Sequence, residues 1–341
     1  MTQADRQDHD PYAVHHLRPG PQANAELGVV VWDPVHSLWN GAMLLGAVAA
    51  VVLAFSWSGV AVFLGLTGAT LLVGHSVGFH RRLIHGSFEA PLWLDHLLMW
   101  VGTLVGMSGP LWMIRAHDVR DWGQRQNRCH SYLSNQAGVW RDYWWNLHCR
   151  LELARPPIFA PLPRVADDRF YRFLERTWML QQLPVALLLF WLGGASWLLW
   201  GVCVRVCVSV TGHWWIGRLA HRQGPQTWLV DGSGVQAHDV PWAAVPTMGE
   251  AWHNNHHAYP GSARIGLYAD QSDWGFVLIR ILERGGLVWN VRTPDNLPPR
   301  PALRAARRPT PAPPAAPRRS STQTPPAAPA APAARRRSGR R

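Results

Sequence analysis

The stretch that decides the fold runs from Leu38 to Phe55 and reads LWNGAMLLGAVAAVVLAF. It carries no charged residue, and a helix needs about 20 predominantly apolar residues to cross the hydrocarbon core of a bilayer. A short polar break, SWSG, separates it from a second apolar run. The two runs predict a hairpin of membrane-spanning helices at about 38–57 and 59–79.

A second apolar hairpin follows later in the chain, with predicted spans at about 178–192 and 197–219. Gly193-Gly194 lies at its turn. Arg205 falls inside the fourth span, so we expect it to face the helix bundle or a polar partner rather than lipid. Four spans predict an all-α integral membrane protein.

The segments between and after the hairpins are polar or interrupted and predict a helical cap. Residues 91–114 are apolar but contain Asp95, His96 and a Gly109-Pro110 break, which indicates a re-entrant or interfacial helical pair. A further short helix is expected in DWGFVLIRILERGGL, residues 273–287. Because four spans return the chain to its starting side, the Arg-rich segments 81–82, 115–176 and 264–292 share one side, which the positive-inside bias makes cytoplasmic.

The net charge of +12 belongs to one end of the chain. Eleven of the 33 basic residues, all of them Arg, lie from Arg300 to Arg341, where there is no acid, and the remaining 22 face 21 acids. A basic folded face for nucleic acid is therefore not expected. The domains predicted are a polar arm (1–35), a membrane domain (36–297) and a disordered Pro/Ala/Arg tail (298–341), so truncation after Pro299 is expected to be harmless. We expect an integral protein of a bacterial cytoplasmic membrane with both termini in the cytoplasm.

Seven of the 17 histidines are predicted at this one membrane face, although they come from four separate parts of the chain. They are His80, His85, His117, His221, His253, His256 and His257. A single His at a helix end is more often a surface or capping residue. The convergence of seven indicates a metal site, because neutral imidazole is a good ligand for iron, zinc or copper.

Spacing within the groups refines this prediction. His253, His256 and His257 share one face of a helix and can point at one or two ions. His80 and His85 are five residues apart, about 140° around an α-helix, so they share a site only if the helix ends or bends there. Glu250, one turn before His253, is placed to hold the second nitrogen of a ligand ring.

Four stretches of the chain together resemble the membrane fatty-acid desaturase family, in its acyl-CoA branch. They are GFHRRLIHGSF, WMIRAHDVRDW, RLAHRQG and GEAWHNNHHAYPGSARIGL, within a resemblance that covers residues 38–295. It implies four spans, a cytosolic cap that holds two irons on histidines, and O2-dependent removal of two hydrogens from an acyl chain. The seven histidines match the family's ligand positions.

The chain departs from the family pattern at the second histidine box. The usual HxxHH reads here from His117 to Asp121, with Arg120 and Asp121 in place of two histidines. A carboxylate can bind iron, so Asp121 is a candidate ligand, whereas Arg120 is not. Gly217 stands where the family tends to have Asn. His75 and His213, inside spans two and four, could supply missing ligands, line the acyl tunnel or hydrogen-bond each other.

The sequence therefore predicts a desaturase that acts on a fatty acyl thioester, with acyl-CoA as the expected form. The implied partners are O2, membrane lipids and a separate electron donor, either a ferredoxin or a cytochrome b5-like protein with its reductase. Five arginines could pair with coenzyme A phosphates or lipid headgroups, or simply be solvated: Arg81, Arg82, Arg115, Arg125 and Arg128. Two alternatives stay open, namely a di-iron lipid hydroxylase or ketolase, and a non-enzymatic haem- or metal-binding protein with His75 and His213 as axial ligands.

Overall fold

The first apolar hairpin is present in the computed structural model, which describes Tyr12 and residues 15–306. Helix α1 spans Pro34–Leu53 and α2 spans Trp57–Ala69. Asp33 caps α1 by accepting the backbone N–H of His36, and Ser56 caps α2 by accepting that of Gly59. Ala50 is the one buried residue of α1, so nearly all of its apolar side chains face outward, as lipid contact requires.

From Ala69 the helix continues without interruption but changes its hydrogen bonding. Residues Thr70–Ile84 form a π-helix, here π1, in which each N–H bonds to the carbonyl five residues earlier. The combined stretch Trp57–Ile84 is 28 residues long. Eleven residues of π1 are buried, in contrast to the outward-facing α1, so π1 forms the inner wall of the fold.

The second apolar region consists of α9 (Gln182–Leu198), a short π-helix π2 (Leu199–Val204) and α10 (Arg205–Ala220). Non-helical backbone interrupts α9 at Gly193 and at Gly194, whose φ of 64° favours glycine. A Cβ built on Gly201 would lie 2.5 Å from the Leu189 side chain, so the chain packs back on itself after the break. Three stretches of the described chain are long and apolar enough to cross a membrane: Pro34–Leu53, Trp57–Ile84 and Gln182–Ala220.

The turns of the two apolar regions lie side by side. The hydroxyls of Ser56 and Ser196 are 2.7 Å apart, and Trp197 Nε1 donates to Ser58 Oγ at 3.0 Å. Trp200 Nε1 donates to the carbonyl of Ala54 at 3.2 Å, which satisfies a backbone group at the end of α1. These bonds fasten the two regions together at the end opposite to the histidines.

The interrupted helical pair predicted for residues 91–114 is confirmed as α3 (Leu92–Leu104) and α4 (Pro110–Arg125). Helix α3 crosses π1 closely at Gly74, because a Cβ there would lie 2.5 Å from the backbone of Val101 and Gly102. The main apolar core lies around this crossing and is closed by α8 (Arg169–Thr177) and α12 (Trp274–Arg284).

The rest of the cap contains short helices and strands. The helices are α5 (Ser131–Ser134), α6 (Val139–His148), α7 (Pro163–Ala166) and α11 (His253–Ala258). The strands are β1 (Leu17–Arg18), β2 (Asn24–Trp32), β3 (Cys149–Arg155), β4 (Ile158–Phe159), β5 (Trp228–Val230) and β6 (Leu303–Ala305). They pair antiparallel as β1–β4, β2–β3 and β5–β6. The fold is thus mostly helical, and the all-α prediction missed three two-stranded sheets.

Two predicted boundaries need correction. Part of the polar arm, residues 24–32, is a strand that pairs with β3, and the tail predicted from 298 is ordered as far as Ala306. In both places the order comes from backbone pairing, which needs no run of apolar side chains. The predicted disorder of residues 307–341 lies outside the described residues.

Candidate metal centre

Three histidines follow one another along π1 in steps of five. The rings of His75 and His80 are parallel, with centroids 6.3 Å apart, and those of His80 and His85 are 4.9 Å apart. The His85 N–H donates to the carbonyl of His80 at 3.2 Å, which is the i→i+5 bond of a π-helix. A spacing that would separate His80 and His85 on an α-helix therefore brings them together here.

A first cluster contains four histidines: His80, His85, His117 and His256. Each offers one ring nitrogen, and these nitrogens lie within 4.8 Å of one another. The end of π1 supplies the first two, α4 supplies His117 and α11 supplies His256. The group is largely buried, so a bound ion would have little contact with solvent.

A second cluster contains His221, His253 and His257. The Nε2 atom of His253 is 3.2 Å from that of His221 and 3.1 Å from that of His257. Helix α11 therefore divides its histidines: His253 and His257, one turn apart, face the second cluster, and His256 faces the first. The triplet therefore contributes to two separate groups of histidines rather than to one.

The ring nitrogens fit metal ions better than they fit hydrogen-bond partners. Within the described residues, His85 Nε2 and both ring nitrogens of His256 are buried without a hydrogen-bond partner, which is costly unless a ligand is bound. Burial lowers the pKa of His221 to about 4 and that of His253 well below its ordinary value. These rings are therefore neutral at pH 7 and offer the lone pairs that iron, zinc or copper needs.

Glu250 orients a ring of the first cluster. Its Oε2 lies 2.5 Å from His80 Nδ1, and its Oε1 accepts from Ser76 Oγ at 2.5 Å and Arg81 Nη2 at 3.1 Å. Burial raises the pKa of Glu250, but His80 and Arg81 outweigh burial and hold it well below its ordinary value. Glu250 thus contacts a histidine ring, as expected, although the ring is that of His80 rather than one of its own segment, and its support of a metal ligand stays a prediction.

Two of the predicted headgroup arginines are engaged inside the protein. Arg81 is 1% exposed and pairs with Glu250 and with Asp273, at 2.8 Å. Arg82 pairs with both carboxylate oxygens of Asp95, at 2.7 and 2.6 Å. Arg115 is exposed on α4 and has no hydrogen bond or ion pair within the described chain, so it alone of these three is open to a headgroup.

Asp121 belongs to neither cluster, but its charge interacts with His117 of the first and with His253 and His221 of the second. It is 6% exposed, and its single hydrogen-bond partner in the described chain is Arg125, 3.5 Å away. Burial raises its pKa, but His117 and Arg125 outweigh burial and lower it, so the carboxylate is charged. The neighbouring Arg120 points elsewhere, because its guanidinium donates to Asn135 at 2.8 Å and Asn146 at 2.6 Å.

Backbone and carboxylate groups fix two further rings. His221 Nδ1 bonds to the Gly217 carbonyl at 2.7 Å, which leaves Nε2 for an ion. His117 Nδ1 lies 3.4 Å from Asp118, and Asp118 also accepts the backbone N–H of His16. The sequence patterns did not predict Asp118 as a partner, although its place directly after His117 was a usable signal.

His75 and His213 meet edge-on, with ring centroids 5.0 Å apart. His75 Nδ1 is buried without a hydrogen-bond partner, and neither residue belongs to the two clusters. The pair therefore lies beside the first cluster, one π-turn before His80.

Comparison with known proteins agrees with what the histidine clusters indicate. The chain is 33% identical over 267 residues to the sn-1 stearoyl-lipid 9-desaturase of Anabaena variabilis. This match covers 76% of this chain and 94% of the relative. It is 31% identical over 285 residues to a chloroplastic palmitoyl-monogalactosyldiacylglycerol delta-7 desaturase of Arabidopsis thaliana (78% and 72%). It is 30% identical over 247 residues to an acyl-CoA 5-desaturase of Anemone leveillei (71% and 74%). No family model matches the chain.

The chain belongs to the membrane fatty-acid desaturase family. It is an oxidoreductase that desaturates fatty acyl chains, and the family implies iron as its metal. The predicted family and reaction are confirmed, and a non-enzymatic haem-binding protein is not supported. The names of the relatives also favour desaturation over the hydroxylase or ketolase alternative.

Proposed function

We propose that this protein is an O2-dependent desaturase that uses two irons, one in each histidine cluster, to place a double bond in a saturated acyl chain. The observation that carries the proposal is the division of seven histidines, from four parts of the chain, into two clusters, the first largely buried and the second partly buried. Iron would supply the oxidising power for breaking unactivated C–H bonds, which no side chain can supply. The chain's own residues hold the ions, orient the rings and exclude water.

The ligand assignment follows from the geometry. His80, His85, His117 and His256 would complete a four-nitrogen site. The second cluster has three histidines, and the charged carboxylate of Asp121 would be its fourth ligand, since it interacts electrostatically with His253 and His221 and its hydrogen-bond partner in the described chain, Arg125, is 3.5 Å away. His75 and His213 would line the acyl channel next to the first site.

We further propose four membrane crossings with the metal centre and both termini in the cytoplasm of a bacterial cell. The break at Gly193-Gly194 divides the 39 residues of Gln182–Ala220 into two crossings, because Leu189 then packs against Gly201. The Arg-rich segments favour the cytoplasm for the cap.

The proposed substrate is a fatty acyl chain on coenzyme A, with Arg115 near its phosphates. The names of the relatives include both acyl-lipid and acyl-CoA desaturases, so the test must separate the two carriers. Electrons would come from a separate ferredoxin or cytochrome b5-like donor.

The test is expression in a host that lacks its own desaturase, followed by mass spectrometry of total fatty acids. We expect a new monounsaturated acid from the unchanged chain and from His238→Ala, whose histidine lies outside both clusters. His256→Ala should abolish the product, because each ion has few ligands. Hydroxylated or keto lipid would favour the alternative chemistry, and full activity of His256→Ala would contradict the site.

The acyl carrier is tested with purified iron-loaded protein, a reductant system and either stearoyl-CoA or vesicles of a saturated phospholipid. Product from stearoyl-CoA alone supports the thioester. Product from the vesicles alone assigns the substrate to membrane lipid and contradicts the proposed contact of Arg115 with coenzyme A phosphates.

A further inference from the structure

The segment that follows the predicted tail boundary is built into the cap. Strand β6 pairs with β5 from Leu303 opposite Val230 to Ala305 opposite Trp228. The Asp231 N–H donates to the carbonyl of Ala302, and the Ala306 N–H to that of Thr227, both at 2.8 Å. Residues 298–306 thus have a fixed position beside α11.

Arg300 uses this position to bind the end of the helix that carries the metal-ligand candidates. Its Nη1 donates to the carbonyls of His257, at 2.6 Å, and Ala258, at 2.9 Å. The last carbonyls of a helix have no partner inside it, and a positive charge there also interacts favourably with the helix dipole.

Helix α11 needs such support because it has only six residues. Helices this short are not stable by themselves. At its other end Asp239 accepts the backbone N–H of Asn254 at 2.9 Å. Asp239 and Arg300 therefore fix opposite ends of the helix that carries His253, His256 and His257.

The N-terminal end of the described chain joins the same contact. Arg300 lies 5.1 Å from the ring centroid of Tyr12, whose hydroxyl donates to the Pro298 carbonyl at 2.5 Å. The Tyr12 carbonyl accepts from Arg125, which is also the partner of Asp121. Tyr12 and the 298–300 segment thus contact each other beside His257 of the second cluster.

We propose that Arg300 is a positioning residue of the second metal site, and that residues 298–306 are part of the metal centre. Arg300 holds the last turn of α11 so that the His257 ring stays against His253 and His221. The inference rests on the proposed two-iron function and adds a residue outside the histidine motifs. The first cluster draws three of its four histidines from π1 and α4, so it should depend much less on Arg300.

The experiment compares Arg300→Gln and Arg300→Lys with a matched control, Arg304→Gln, in the full-length protein. Arg304 lies in the same segment but is 65% exposed and pairs only with Asp231. Truncations after Pro299 and after Ala306 test the segment itself. Iron per chain, the Mössbauer spectrum and the melting temperature of the metal-free protein are measured for each.

We expect two irons per chain in the unchanged protein, in Arg304→Gln and in the truncation after Ala306. Arg300→Gln and the truncation after Pro299 should hold one iron and lose one component of the spectrum. Arg300→Lys should recover part of the second iron, because it restores a donor and a charge. The metal-free melting temperature of Arg300→Gln should stay close to that of Arg304→Gln.

Three results would overturn the inference, and they can be told apart. Two irons in Arg300→Gln, with an unchanged spectrum, contradict the positioning role alone. Loss of both irons together with a lower metal-free melting temperature assigns Arg300 a general structural role. A single iron in the unchanged protein contradicts the proposed two-iron function, and the inference with it.

Discussion

Asp121 is one of two residues at which the second histidine box differs from the HxxHH pattern of the family. If it binds iron as proposed, a charged carboxylate takes the place of an imidazole at the second site. Oxygen ligands suit harder ions than nitrogen ligands do. The second site should therefore hold oxidised iron more firmly than an all-histidine site would.

Changing Asp121 to Asn should lower iron binding at the second site. The amide keeps the size of the side chain but lacks the charge, and we expect the affinity for one of the two ions to fall by about 10- to 100-fold. Competition with a chelator measures it. Asp270→Asn, at an exposed position of the cap, is the control. Equal iron in both variants would return Asp121 to a structural role.

Changing Glu250 to Gln should affect both metal binding and stability. His80 loses the carboxylate that orients it, and Arg81 keeps only Asp273 as a charged partner. Removing one member of a buried ion pair costs about 3–5 kcal/mol. We expect a lower melting temperature and weaker iron binding at the first site. The exposed pair of Glu283 with Arg280 supplies the control, Glu283→Gln, which should change neither property.

For individual residues, the sequence predicts the histidines of the two clusters but not several of their hydrogen-bond and ion-pair partners. Seven candidate ligands stand out through composition and spacing alone. The contact of Glu250 with His80 joins residues 170 positions apart, and the turning of Arg120 toward Asn135 and Asn146 depends on a loop with no repeating pattern. Pairings of this kind appear only when the cap is folded.

At the scale of elements, the π-helix decides the first cluster. An HxxxxH spacing fits no single face of an α-helix, so the sequence predicts a bend or an end between His80 and His85. The helix does end at Ile84, before His85, and it has also changed its hydrogen-bond register to that of a π-helix. No residue type in Thr70–Ile84 predicts this change from α-helical to π-helical hydrogen bonding. The sequence therefore predicts that the rings of His80 and His85 meet, but not the π-helical hydrogen bonding that brings them together.

Arg205 shows how the backbone carbonyl at the end of a helix can find a hydrogen-bond donor inside an apolar environment. It donates to the Leu104 carbonyl at the end of α3, to Gly201 at 2.7 Å and to Gln182 at 2.5 Å. Gln182 also donates to Leu104, at 3.1 Å. The expectation that Arg205 faces the bundle is confirmed. Its partners are carbonyls and an amide, which would have no water to bind in lipid.

Replacing Arg205 with Met should therefore destabilise the protein without emptying the metal sites. A buried polar group left without its partner costs about 1–3 kcal/mol. We expect a lower melting temperature and an unchanged number of irons in the protein that remains folded. Arg176→Met, on the exposed face of α8, should leave the melting temperature unchanged. A fall in Arg205→Met no larger than in this control would contradict the capping role.

For the whole molecule, the proposed four crossings place the two turns and the cap on opposite sides of the membrane. In a variant without its four native cysteines, we expect Ser58→Cys to react with a membrane-impermeant maleimide applied to intact cells. Asp270→Cys should react only after the membrane is opened. Labelling of both positions in intact cells, or of neither, would contradict this topology.

Acid should destabilise the metal-free protein. Burial lowers the folded-state pKa of His221 to about 4 and lowers those of His85, His253, His256 and His257 well below their ordinary value, so these rings resist protonation until the chain unfolds. Below about pH 6.5 the unfolded chain binds more protons than the folded chain, and stability falls toward pH 4. Tryptophan fluorescence during heating measures this. A melting temperature that is constant from pH 7 to pH 4 would contradict it.

Most of the overall architecture could be predicted from the sequence, because the length of an apolar run is a strong signal of a membrane-spanning helix. The ends of the domain were not, since β2 and β6 are ordered by pairing with partners far along the chain rather than by their own composition. One expectation is reversed as a result: truncation after Pro299 removes Arg300 and β6, and we now expect it to impair the enzyme.

The spread of the ligand candidates along the chain bears on how the protein is made. A bound ion in the first cluster would close loops from His85 to His117 and from His117 to His256, and one in the second would tie His221 to α11. Each ion thus acts as a cross-link, comparable to a disulfide in joining distant segments. Neither site is complete until the ribosome has passed residue 257 and both hairpins have been inserted. Iron loading would therefore be the closing step of assembly, and a cell short of iron should accumulate inserted chains whose cap is open to proteases.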